Sequence, residues 1–118
     1  MKILFALNQP TAIADMEAIH HALPFAKVTP CNGVYKGDSE RSYLMEGNKE
    51  TLGKVLALAK EHSQESILIV NNSNKAALLY CEAMEAVTLP GIWQEIAPDL
   101  AECLDAYTTI NSKIYAVI

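Results

Sequence analysis

The sequence predicts an α+β sandwich with its elements in the order βαββαβ, followed by a β-rich C-terminal extension. Three observations carry that prediction. Short continuous apolar runs, Lys2–Leu7 and Ser66–Val70, read as buried strands. Two other stretches place apolar residues at helical spacing. Pro, Gly and Asn clusters separate the runs at close intervals, with no linker, repeat or low-complexity tract between them. That order is the split βαβ arrangement of ferredoxin-like sandwiches. A chain of 118 residues that is 51% hydrophobic holds one modest core, so residues 1–118 are expected to form a single domain.

The elements follow in order. After the first strand, Pro10 opens a new element, and Ile13, Met16, Ile19, His20 and Leu23 recur at helical spacing until Pro24 ends the helix. Phe25–Tyr35 carries Pro30 and Gly33 and reads as an irregular or edge strand. Lys36-Gly37-Asp38-Ser39 is turn chemistry. Glu40–Glu46 is strand-like, with Tyr43 and Met45 on one face and Leu44 opposite, so the two strands form a hairpin with a polar tip. Asn48 is an N-cap, Glu50 suits the first helical turn, and Leu52, Val55, Leu56 and Ala59 form the apolar stripe of the second helix. Ser66–Val70 is a central strand, Asn71–Asn74 a turn, and Lys75–Cys81 a further strand. Leu89-Pro90-Gly91 breaks the chain before Ile92–Glu95, and Pro98 opens a short helix with Leu100, Cys103 and Leu104. Tyr107–Ile110 and Lys113–Ile118 form a terminal hairpin around Asn111-Ser112. Two helices on one face of such a sheet leave the other face in need of cover, and a homo-oligomer, trimer or dimer, is the expected solution.

Nine Lys and Arg against fourteen Asp and Glu give a formal charge of −5. With no basic run, the chain lacks the clustered cations that nucleic acid requires, whereas a cationic small molecule is electrostatically welcome. Cys31, Cys81 and Cys103 are widely spaced and form no CxxC pair, which reads as reduced thiols in a cytoplasmic protein. Met1–Leu7 is apolar but meets Asn8 and Pro10 too soon for a signal peptide, and no window is long enough to span a membrane.

Phosphate-loop, dinucleotide, zinc-protease, serine-hydrolase and kinase motifs are all missing. His20 and His21 are adjacent, so on a helix they point more than a quarter-turn apart and suit the surface better than one metal; His62, at a helix end, is a dipole partner. No metal and no cofactor are expected. Two segments are chemically dense. Gly33–Tyr43 packs two tyrosines, two glycines, acids and bases into a hairpin. Its plain reading is a solvated tip with an ion pair from Arg41 or Lys36; its functional reading is a loop that projects Tyr35 and Glu40 towards a neighbouring subunit. Leu89-Pro90-Gly91-Ile92-Trp93-Gln94-Glu95 sets the only Trp after a rigid turn, either as a core plug or as one wall of a pocket.

These segments, in their order, resemble a known family. Gly33-Val34-Tyr35, Glu40 opening an alternating strand, an Ala/Leu-rich helix, Gln64–Val70, Leu78-Leu79-Tyr80 and Leu89–Glu95 together look like the phage-encoded S-adenosylmethionine-degrading enzymes, first described as hydrolases and now as lyases. The resemblance implies a GlnB-like trimeric αβ sandwich with active sites between subunits. It implies that the substrate's own carboxylate attacks its γ-carbon, releasing 5′-methylthioadenosine and L-homoserine lactone, as a phage counter-defence acting in the host cytoplasm. It implies catalytic roles for Glu40, orienting the substrate ammonium, and for Tyr35 at the amino-acid end. Trp93 or Tyr43 would pack near adenine or the sulfonium, and Gln94 and Glu95 would serve polar edges of ribose or adenine. One or two acids are expected at the site rather than a cluster, because charge is neutralised as carboxylate meets sulfonium. The alternative is a non-enzymatic GlnB-like nucleotide-binding signalling module; a small interaction domain with no ligand is a third reading.

Overall fold

The computed structural model of the chain describes residues 1–118. Its elements are β1 (Lys2–Phe5), α1 (Ala12–Ala22), β2 (Val28–Tyr35), β3 (Asp38–Glu46), α2 (Lys49–Glu61), β4 (Ser66–Val70), β5 (Ala76–Tyr80), β6 (Ala86–Thr88), β7 (Trp93–Ile96), α3 (Pro98–Ala101), β8 (Ala106–Ile110) and β9 (Lys113–Val117). The nine strands form one antiparallel sheet in the order β6-β5-β4-β1-β3-β2-β8-β9-β7. The expected α+β class and the leading βαββαβ order are both present. The short β6 is an addition that the sequence pattern did not reveal.

Local chemistry explains most boundaries. The Thr11 side chain caps α1 by accepting from the Ala14 N–H. Asn48 and Thr51 form a reciprocal capping box at the start of α2. Lys36 and Gly37 both have positive φ, as do Asn111 and Ser112, so each pair makes the two-residue turn that suits the twist of a hairpin. Pro30 lies in the half of β2 that has only β3 as a neighbour, since β8 pairs β2 only from Asn32 to Tyr35.

Strand alternation divides the core in two. Ile3, Phe5, Tyr43, Met45 and Ile67 point to the helices and pack with Ile19, Leu23, Val55, Leu56 and Ala59. Leu4, Val70 and Ala76 point to the other face and pack with Trp93 and Ile110. The inward stripe of α1 runs through Asp15, Ile19 and Leu23, while Ile13 stays largely exposed. The apolar spacing alone placed Ile13 on the stripe; the helix is rotated so that a carboxylate enters the core.

The second face of the sheet is covered in part by the chain itself. Trp93 N–H donates to the Asn74 carbonyl at 2.8 Å, although β7 and the β4–β5 turn lie far apart in strand order. The sheet therefore curls, and the C-terminal strands fold back over β1 and β4. The expectation that this face must await a second copy is corrected to that extent. No helix is long and apolar enough to cross a membrane.

Candidate functional site

The curl leaves a cleft of about 990 Å³ between the β2–β3 hairpin, the β4–β5 strands and the C-terminal strands. Register explains who lines it. Tyr35 pairs with Asp38, Gly33 with Glu40 and Cys31 with Ser42, so these residues share one face of the hairpin. Ser66 pairs with Tyr80 and Leu68 with Leu78 on the opposite wall. Trp93 pairs with Val117, and its ring stacks on Tyr115 with centroids 5.5 Å apart and planes 4° apart.

The lining contains three carboxylates, Asp38, Glu40 and Glu65, and six aromatic residues but no Lys, Arg or His. Tyr35, Tyr80, Trp93 and Tyr115 lie on the cleft face of their strands, while alternation turns the rings of Phe5 and Tyr107 to the other face. Lys36 stands at the hairpin tip with Nζ 5.3 Å from the Tyr35 centroid, and its backbone N–H is tied to the Asp105 carbonyl. A negative, aromatic concavity of this kind favours a cationic organic ligand: the acids attract its charge, and the rings offer both stacking and the electron-rich faces that cations prefer. Phosphate groups would meet repulsion there instead.

The sequence-derived residues separate into two groups. Tyr35 and Glu40 on the hairpin and Trp93 on the distant β7 line the same cleft, Trp93 with only 5% of its surface exposed. Glu65, which the sequence left without a role, joins them there, making three acids where one or two were expected. Tyr43 does not reach the cleft. Alternation sends it to the helix side, where it is 2% exposed and its hydroxyl donates to Asp15 Oδ2 at 2.6 Å. Burial and the Asp15 carboxylate both push its ionisation far above the usual tyrosine range. A substrate contact at Tyr43 is therefore corrected to a core position. Gln94 and Glu95 also lie outside the lining. The Gln94 amide donates to the Ile118 carbonyl at 3.2 Å, and Glu95 sits 3.9 Å from Lys113.

Sequence reasoning missed Asp15 altogether. A lone Asp in a first helical turn normally reads as a dipole partner; only its complete burial singles it out. Arg41, read as half of a tip ion pair, instead reaches back to Asp15, with Nη1 3.5 Å from Oδ2. Of the three thiols, Cys31 is half-buried and Cys81 fully buried; desolvation raises both, Cys31 to about 11. Neither is a poised nucleophile. No three His, Cys, Asp or Glu side chains converge as metal ligands would.

No curated protein matches the chain. The model of the S-Adenosylmethionine lyase family matches residues 8–118, a span that includes the hairpin, the Glu65 strand and the Trp93 segment. That span covers every wall of the cleft but the first strand, and the cleft's acids and rings suit a sulfonium that carries an adenosyl group. The chain belongs to the S-adenosylmethionine lyase family and is a lyase acting on S-adenosylmethionine.

Proposed function

We propose that the chain converts S-adenosylmethionine to 5′-methylthioadenosine and L-homoserine lactone by intramolecular displacement within this cleft. The substrate carboxylate oxygen forms a bond to the γ-carbon. The γ-carbon–sulfur bond breaks, and its electron pair stays on sulfur as a neutral thioether. Atoms and charge balance without water, and the ammonium passes unchanged into the lactone. The protein's task is to hold the methionine tail folded, since a near-attack geometry removes several kcal/mol from the barrier.

The observation that carries this reading is the composition of the lining: three carboxylates, four aromatic residues on the cleft face and no basic side chain. Glu40 binds the substrate ammonium. An acid there carries no penalty in the transition state, because the ammonium keeps its charge throughout, whereas an acid against the sulfonium would stabilise the ground state. Tyr35 closes over the amino-acid end, and Trp93 with Tyr115 forms the aromatic wall for adenine or the sulfonium. The signalling alternative calls for cations facing phosphates, and the lining offers none.

The strand order β4-β1-β3-β2 with both longer helices on one face supports the ferredoxin-like, GlnB-like frame. We read the working unit as a homotrimer with the cleft closed by a neighbour. Tyr35 is 59% exposed in the single chain, and a displacement between opposite charges gains from a water-poor site. Removal of a methyl donor that restriction systems use is consistent with a phage counter-defence role.

The test is direct. Purified protein is incubated with S-adenosylmethionine in ¹⁸O-labelled water, and products are followed by mass spectrometry. Methylthioadenosine with unlabelled lactone is expected first; homoserine labelled before any lactone forms would replace the lyase step with hydrolysis. Glu40→Gln should abolish most turnover with the oligomer intact, and a fully active variant would remove Glu40 from the mechanism.

A further inference from the structure

Asp15 is the one charged residue buried away from solvent, at 0% exposure. Its Oδ1 accepts from the Gln9 N–H at 3.2 Å. Its Oδ2 accepts from the Tyr43 hydroxyl at 2.6 Å and lies 3.5 Å from Arg41 Nη1. Arg41 Nη2 in turn donates to the Gln9 carbonyl. Removing a carboxylate from water is costly unless donors surround it, and here three groups do so. Well-packed apolar side chains commonly stabilise such a slot equally well, so stability alone does not explain the network.

The network's place in the sheet points to another role. β1 pairs with β3 only from Tyr43 to Glu46. From Asp38 to Ser42, β3 has β2 as its sole strand neighbour. Glu40 belongs to that outer stretch and faces the cleft. Arg41 follows it, leaves the strand on the helix side, and is fastened to Asp15 and to the β1–α1 loop. A twist of β3 at Arg41 would carry Glu40 through the same angle.

We propose that Asp15 is a positioning residue: by clamping Arg41 and Tyr43 from the helix side of the sheet, it sets the Glu40 carboxylate on the cleft side. The proposal rests on the reading of Glu40 as the group that binds the substrate ammonium. A carboxylate displaced by about 1 Å misplaces the tail, and errors of that size cost up to ~10²-fold in rate.

Asp15→Asn keeps the volume and one acceptor oxygen while removing the charge. Under conditions where its circular dichroism and elution match the parent, kcat should fall about 10- to 100-fold while KM changes much less. In a Glu40→Gln background the same substitution should add less than about twofold, because the contact it positions is already gone. Losses that simply multiply would overturn the proposal. Amide exchange provides a readout that needs no turnover. A peptide spanning residues 38–42 should exchange faster in Asp15→Asn, with α2 unchanged, and unaltered hairpin protection would also overturn it. Should the parent show no turnover, the reading of Glu40 fails, and exchange alone decides whether Asp15 clamps the hairpin. If Asp15→Asn does not fold, Tyr43→Phe removes one donor, keeps the ring, and should show the same pattern at smaller size.

Discussion

Gly33 stands directly across from Glu40 in the β2–β3 register, so no side chain faces the carboxylate from the paired strand at that position of the cleft face. A Cβ at Gly33 would meet Ser42 Oγ at 3.1 Å, a contact that a small rotation of the serine relieves. The glycine therefore serves space rather than backbone conformation. Gly33→Ala should fold normally and lose little activity. Gly33→Val should fold, given the strand preference of valine, but lower turnover about 10-fold or more by crowding the ammonium site. Steady-state kinetics beside a thermal melt checks both; a fully active valine variant would show that the space beside Glu40 is not used.

The three acids of the cleft should not be equivalent. On the proposed reading Glu40 would face a charge that persists through the reaction, while Asp38 and Glu65 would act at longer range through the field of the cleft. Asp38→Asn and Glu65→Gln should each raise KM by about two- to tenfold, equivalent to about 0.4–1.4 kcal/mol of lost attraction, with kcat within about threefold. Raising ionic strength should reduce both differences. A kcat loss in Glu65→Gln as deep as in Glu40→Gln would move the ammonium site to Glu65.

Trp93 is the only Trp in the chain, and it stacks on Tyr115 at the cleft wall. Its emission should change saturably when S-adenosylmethionine or a non-reactive analogue binds. Tyr115→Phe should retain both stacking and signal, whereas Tyr115→Leu should lose about 0.5–1.5 kcal/mol of stability beyond the buried area and weaken the response. Emission that stays constant through saturating ligand, with turnover intact, would place the adenosyl group elsewhere.

Burial keeps the Cys31 thiol protonated up to about 11, against 9.0 for the free side chain. The unfolded chain thus loses this proton first, and unfolding releases it over that interval. Stability from this group is full below pH 9.0 and declines as pH rises towards about 11. Tyr43, also raised, adds a further decline above the ordinary tyrosine value of 10.0. Denaturation midpoints between pH 8 and 11 should fall less steeply in Cys31→Ala than in the parent. Parallel curves would show that the thiol is not shielded.

Much of the local structure was legible because it depends on neighbours in sequence. The Asn48 cap, Pro98 and the turn at Asn111-Ser112 act within a few residues, and each occurs where composition put it. The expected turn Lys36–Ser39 narrows to Lys36-Gly37, because Asp38 and Ser39 already pair with Tyr35 and Val34. Tyr35 and Glu40 were legible for the same reason, since the hairpin's register places both on one face. Trp93 was named without a face, and β6, three exposed residues on an edge, carried no periodic signal.

What the sequence determined by itself was the class of elements, their order and the presence of a family-like hairpin, because strand and helix periodicity and capping are local properties. The tertiary structure alone decided that Trp93 and Glu65 share a cleft with Glu40, that Tyr43 turns to the core, and that Asp15 is buried against Arg41. Those outcomes depend on the curl of a nine-stranded sheet and the rotation of α1 about its axis. Both are set by how distant surfaces pack, and no spacing within a single element encodes them.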